Sequence, residues 1–166
     1  NSGQHLMVVL NDVLDLAKVE ANRLTLSPKS FELSALLEAV AKLHKVNAAA
    51  KGVALVTQLP THACVIDGDP VRIRQIIENL LSNAVKFTTA GQITLSLTQD
   101  SHDVYIAVAD TGIGIAEDEL EQVFAPFYQA QSFLNRPHGG TGLGLTLSRR
   151  LAALMGGEIS AQSRTG

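Results

Sequence analysis

Asp69-Pro70-Val71-Arg72-Ile73-Arg74-Gln75-Ile76-Ile77-Glu78-Asn79-Leu80-Leu81-Ser82-Asn83-Ala84-Val85-Lys86-Phe87 reads as one helix with a defined start. Asp69 is its N-cap, and Pro70 takes the first helical position, where a missing N–H is tolerated. Val71, Ile73, Ile76, Ile77, Leu80, Leu81 and Ala84 make the element largely apolar. Asn79 and Asn83 interrupt that pattern. They are four residues apart, so both carboxamides leave from one face. Two amides on an otherwise apolar helix are costly unless paired. An amide oxygen is also a hard donor of the kind magnesium accepts. Lys86, three residues beyond Asn83, is placed to reach the phosphates of the same ligand. Read alone, the pattern fits two satisfied buried amides as well as it fits a ligand site.

Upstream, residues 4–24 have an amphipathic helical spacing. Leu6, Leu10, Val13 and Ala17 share a stripe, with Leu14 beside them. Such a helix cannot bury its stripe alone and needs a partner. Ser27-Pro28 breaks it. Ser34 can cap a second helix that runs to about Lys51, with Gly52 as its stop. Val53 to Leu59 and Ala63 to Ile66 read as strands. Downstream, Thr89-Ala90-Gly91 is a turn. Ile93, Leu95 and Leu97 alternate with Thr94, Ser96 and Thr98, and Asp100-Ser101-His102-Asp103 turns the chain into a second apolar strand ending at Ala109. Glu117 to Val123 reads as a short helix and residues 128–140 as a loop. A last helix spans about Gly142 to Met155, with Gly156-Gly157 as its stop, and a strand begins at Glu158. This order predicts an α+β two-layer sandwich: one mixed sheet with helices on one face.

The chain has 166 residues, enough for one domain with an appended element, and at 46% hydrophobic it can bury a core. A net charge of -3 argues against a nucleic-acid or membrane surface. Its one cysteine, Cys64, cannot form an internal disulfide, which is compatible with a reducing compartment, and it reads as a small apolar residue. No apolar run is long enough to cross a bilayer. The first residue, Asn1, is not methionine, so the chain is expected to be a piece of something longer.

Three further motifs follow the Asn helix. Asp110-Thr111-Gly112-Ile113-Gly114-Ile115 comes directly after a strand. Its glycines allow close backbone approach, and a carboxylate at a strand end can accept from an amino group such as adenine N6. A plain turn explains Gly-x-Gly equally well. Phe124-Ala125-Pro126-Phe127 is read first as core anchoring. Gly139-Gly140-Thr141-Gly142-Leu143-Gly144-Leu145 enters the last helix, where exposed N–H groups and the helix dipole suit phosphate. It matches neither a P-loop nor a Rossmann turn.

In this order the four motifs resemble the N, G1, F and G2 boxes of histidine kinases, within the superfamily shared with gyrase-type, mismatch-repair and chaperone ATPases. Leu10-Asn11-Asp12-Val13-Leu14-Asp15-Leu16-Ala17-Lys18-Val19-Glu20-Ala21 likewise resembles the end of the second dimerisation helix of such kinases, especially hybrid ones. The resemblance implies a Bergerat-type ATP-binding fold with two parts: residues 1–26 as the end of the dimerisation helix and 27–166 as the catalytic domain, its last strand cut short. It implies that Asp110 binds adenine with Gly112, Gly114 and Ile115. It implies that Asn83 coordinates Mg2+, with Asn79 beside it and Lys86 on phosphate. Residues 128–141 would form a lid containing Arg136, flanked by Phe127. Gly140, Thr141, Gly142, Leu143, Gly144 and Leu145 would hold the phosphates of ATP. Implied partners are the protein's own dimerisation/phosphotransfer domain, a response-regulator receiver domain, and a second copy in a full-length homodimer, on the cytoplasmic side.

One departure separates the branches. The ATPases of the superfamily carry a water-activating Glu four residues before the magnesium Asn; here that position is Asn79, and Glu78 lies about 100° around the helix. Transfer to a histidine is therefore favoured over hydrolysis. The acceptor histidine of the family precedes an acidic residue and, soon after, a proline. His5, His44, His62, His102 and His138 all lack that context, so the acceptor is expected upstream of Asn1. The competing expectations are a catalytically silent nucleotide-binding scaffold and a serine kinase of the same superfamily.

Overall fold

The structure, a computed structural model, describes residues 2–126, 128 and 143–163. The chain divides into two compact units, one of residues 28–114 and one of residues 1–27 with 115–166.

In the first unit, β1 (Lys29–Glu32) leads into α2 (Leu33–Ala50), followed by β2 (Ala54–Gln58), β3 (Val65–Gly68), α3 (Pro70–Phe87), β4 (Gln92–Gln99) and β5 (Val104–Asp110). β2 pairs parallel with β4, and β4 pairs antiparallel with β5, so this three-stranded sheet is mixed. The register puts Leu55 opposite Ile93, Leu95 opposite Val108 and Leu97 opposite Ile106, all on one face. Ile93, Leu95 and Leu97 are buried there, whereas Val56 and Tyr105 on the other face are exposed. Strand periodicity of two separates the faces. α2 packs on α3 and β2, and α3 packs on β5, through Leu37, Val40, Ala41, Ile77, Leu81 and Ala84. This is the two-layer α+β arrangement expected, with two corrections. First, β3 leaves the main sheet and pairs antiparallel with β1, a strand that the sequence reading omitted because Lys29-Ser30 carries no apolar alternation. Second, the cap of α2 is Glu32 rather than Ser34. The Glu32 carboxylate accepts from the backbone N–H groups of Ser34, Ala35 and Cys64, at 3.2, 2.5 and 2.9 Å. It thereby ties the start of α2 to the start of β3. Buried Cys64 sits beside it, and its carbonyl accepts from Leu33 N at 2.7 Å.

In the second unit, α1 (Ser2–Glu20) packs on α4 (Gly144–Leu154). Leu16 and Val19 are buried, while Leu6, Met7, Leu10, Val13 and Leu14 are exposed. The stripe that this chain covers is therefore the C-terminal one. Arg150 and Glu20 form a half-exposed ion pair at 3.6 Å. Residues 117–124 form two 3-10 turns, Glu117–Glu119 and Gln122–Phe124, in place of the expected short helix. Residues 157–163 form no strand, contrary to expectation. No helix among the described residues is long and apolar enough to cross a membrane.

Candidate nucleotide site

α3 starts as its sequence dictates. The Asp69 carboxylate accepts from Val71 N and Arg72 N at 3.1 and 3.2 Å, with Pro70 in the first turn. Ile76, Ile77, Leu81, Ala84 and Val85 form its buried side. Asn79, Asn83 and Lys86 follow i, i+4, i+7 spacing, so they line a different face. All three are half-buried. The Lys86 ammonium sits 5.2 Å from the Phe87 ring centroid, and burial pushes its pKa below the usual value. A nearby anion would oppose that shift by Coulombic attraction. The end of this helix is held from outside it: Lys51 Nζ donates to the carbonyls of Val85 and Lys86 at 2.5 and 3.2 Å. These are carbonyls of the last turn, left without helical partners.

Asp110 is the last residue of β5 and is exposed. Its Oδ1 accepts from Gly112 N at 2.9 Å, which turns the chain immediately and fixes the carboxylate. Gly112 then passes the end of α3 so closely that a Cβ would lie 2.6 Å from Phe87 O, 2.9 Å from Asp110 Oδ1 and 3.1 Å from Thr88 Oγ1. The glycine is needed for space. At Gly114 it is needed for conformation, since φ is 77°. Thr111 supports the same turn. Its hydroxyl donates to Ala90 O and accepts from Gln92 N, at 3.2 and 3.0 Å, and it occupies the space in which a Gly91 side chain would stand. The end of β5 and the end of α3 therefore meet, with a carboxylate on one and an amide and ammonium row along the other.

The remaining expected residues divide. Ile115, Leu143, Gly144 and Leu145 belong to the second unit. Ile115 N donates to Ser163 Oγ at 2.7 Å. Leu143 is buried and precedes α4, which begins at Gly144. Thr146 Oγ1 donates to Phe124 O at 2.7 Å, and the Arg149 guanidinium lies 4.5 Å from the Phe124 ring centroid, so Phe124 anchors this unit. Phe127, Arg136, Gly140, Thr141 and Gly142, with His138, lie outside the described residues. A cavity of about 320 Å³ beside Phe124, Pro126 and Arg149 also belongs to the second unit and contains none of the expected site residues. Two residues that the sequence did not mark as site candidates touch the end of α3 and its junction with β5: Lys51 and Thr88. Neither sits in a motif, because each acts through a contact distant in sequence.

Among the described residues no group of three His, Cys, Asp or Glu side chains could cage an ion. One amide oxygen, from Asn83, fits a hard cation that draws its other ligands from phosphate and water.

Comparison with known proteins shows the family. Residues 68–166 match the family model described as histidine kinase-, DNA gyrase B- and HSP90-like ATPase. The chain is 42% identical to the autoinducer 2 sensor kinase/phosphatase LuxQ of Vibrio vulnificus strain YJ016, over 98% of this chain and 20% of that protein. It is also 42% identical to the sensor protein TorS of Escherichia coli K12, over 98% of this chain and 18% of that one. The chain thus spans about a fifth of the length of these relatives. Among solved structures, full-length ShkA in complex with AMPPNP superposes with a TM-score of 0.82 at 36% identity, covering 98% of this chain and 35% of ShkA. Acinetobacter baumannii histidine kinase AdeS gives 0.81 at 26% identity, over 99% of this chain and 75% of that one. With the Asn row on α3, the anchored Asp110 and the crowded Gly112 all falling inside the matched residues, this chain belongs to the histidine kinase-, DNA gyrase B- and HSP90-like ATPase family.

Proposed function

We propose that the chain is the ATP-binding catalytic region of a two-component sensor histidine kinase. It takes Mg-ATP and, within its parent on the cytoplasmic side, passes the γ-phosphoryl group to a histidine of the dimerisation/phosphotransfer domain. The bond from phosphorus to the ADP oxygen breaks as the bond to the imidazole nitrogen forms, and a receiver-domain aspartate takes the phosphoryl group next. Residues 1–26 are the end of the dimerisation helix in this reading, and 27–166 the catalytic domain.

The observation that carries the reading is the exposed Asp110 carboxylate, pinned by Gly112 N at the point where β5 meets the end of α3. Asp110 accepts from the adenine amino group, and Gly112, Gly114 and Ile115 line the approach. Asn83 holds magnesium with Asn79 beside it. Lys86 and the segment from Gly140 to Leu145 contact phosphate, with Arg136 and Phe127 in the lid. Magnesium, when bound, neutralises charge on the phosphates. Such transfer depends on positioning and charge neutralisation, which these residues supply. Hydrolysis is disfavoured because no carboxylate stands at position 79. The neighbouring Glu78 is engaged with Arg74 at 3.4 Å, on another part of the helix surface.

Calorimetric titration with ATP and ADP, with and without magnesium, tests this. The expected result is ATP binding strengthened by magnesium, abolished in Asp110→Asn, and made magnesium-insensitive in Asn83→Ala. Absence of binding by a folded chain would refute the reading in favour of a silent scaffold.

A further inference from the structure

Thr88 closes α3. It is fully buried, and its hydroxyl has no hydrogen-bond partner among the described residues. Its backbone is extended, with φ -106° and ψ 118°, and its N–H donates to Ala84 O at 3.1 Å. A β-branched side chain suits that conformation, but valine would fill the same volume without stranding a polar atom. An unpaired buried hydroxyl is destabilising and calls for an explanation.

The crowding at Gly112 supplies one. Thr88 Oγ1 and Asp110 Oδ1 lie 3.1 and 2.9 Å from the same point, the position a Gly112 Cβ would take. The hydroxyl therefore lies within about 6 Å of the carboxylate oxygen, across the Gly112 turn. Asp110 Oδ1 accepts one bond, from Gly112 N. A carboxylate has roughly four acceptor positions, and a threonine hydroxyl has a rotatable donor.

We propose that Thr88 is a positioning residue for Asp110: when an adenine amino group engages the carboxylate, the Thr88 hydroxyl donates to it from the buried side and holds it in the orientation that reads the base. This rests on the proposed adenine role of Asp110. On this proposal the hydroxyl, without a partner among the described residues of the free protein, gains one in the complex, so binding gains from it and folding does not. A structural threonine has the opposite signature.

The test compares Thr88→Val, Thr88→Ser and Asp110→Asn by thermal melting and by titration with two probes: ATP, and purine riboside triphosphate, which lacks the 6-amino group. Thr88→Val is expected to melt no lower than the parent, yet to bind ATP about tenfold more weakly, the scale of one hydrogen bond to a charged group. Its affinity for purine riboside triphosphate should be unchanged, and Thr88→Ser should restore ATP binding. If Thr88→Val leaves the ATP preference intact while Asp110→Asn removes it, the inference about Thr88 is overturned and the adenine site stands. If Asp110→Asn also keeps the preference, the adenine reading fails and takes the inference with it. Lower melting with equal losses for both probes would make Thr88 structural and overturn the proposal.

Discussion

Gly112→Ala is the sharpest perturbation of the α3–β5 junction. Gly112 does not have a positive φ, so alanine carries no backbone penalty there. The cost is steric. The added Cβ would meet Phe87 O at 2.6 Å and Asp110 Oδ1 at 2.9 Å. The nearer atom is backbone at the end of a helix that Lys51 also holds, so it cannot swing aside as a side-chain tip would. The two segments must part by several tenths of an ångström, and the Gly112–Asp110 bond loosens as they do. Overpacking of this kind costs about 2 kcal/mol, which for a chain of this size is a melting drop of roughly 4–8 °C. ATP affinity should fall by at least about tenfold, since the strained bond fixes the carboxylate. Melting by circular dichroism, paired with calorimetry, reads both. Gly157→Ala is the control, because its Cβ would make only an ordinary 3.6 Å contact with Ala152 O. If Gly112→Ala matches that control in both assays, the crowding argument is refuted.

Lys51→Met should lower the melting temperature by an amount equivalent to about 1 kcal/mol, because two carbonyls at the end of α3 lose their donor; an unchanged melt would mean that water replaces the ammonium at no cost. Acid should destabilise the fold in two windows. Burial pushes the His44 pKa below its ordinary 6.5, outweighing the opposing charge of Glu78. The unfolded chain then takes up the proton first, and stability falls as pH drops below about 6.5. The N–H groups of Cys64 and Ala35 hold Glu32 below its ordinary 4.5, so its contribution is intact at neutral pH and lost only at lower pH. His44→Gln should flatten the upper window alone in melting curves taken against pH, and an unaltered profile would exclude His44 as its source. Incubated with labelled ATP, the chain should acquire no acid-labile phosphate, as none of its five histidines stands in the sequence context of an acceptor; label on His5 would contradict this.

Local chemistry was the legible part of the sequence. Asp69-Pro70 announces the start of α3 because a cap and a proline act on their own next few residues. The alternation from Ile93 to Thr98 announces β4 because one buried face selects it. Pairing partners were harder to read. β3 joins β1 through a ladder that ends at Lys29–Gly68, and nothing near Val65 in sequence signals which strand it will meet. Glu32 was overlooked as a cap because Ser34 is the better cap by type. Glu32 prevails because its carboxylate also serves Cys64 N, 32 residues away, so tertiary context outweighed local preference.

The same division runs through the site. Asn79, Asn83, Lys86 and Asp110 were legible as candidates because a polar residue on an apolar element needs a reason. Thr88 and Lys51 were not, since a threonine after a helix and a lysine at a helix end are ordinary until their neighbours are known. Gly112 stands between the two cases. Its motif marks it as a turn glycine, yet its φ is not one that demands glycine, and the demand comes from Phe87 O and Thr88 Oγ1, more than twenty residues earlier in the chain. The end of the Asn-bearing helix and the Asp110–Gly112 turn are therefore one structural unit rather than two adjacent ones. The glycine permits the close approach, the approach brings the Asp110 carboxylate beside the end of the Asn-bearing helix, and any residue that widens that junction should weaken nucleotide binding without touching the nucleotide.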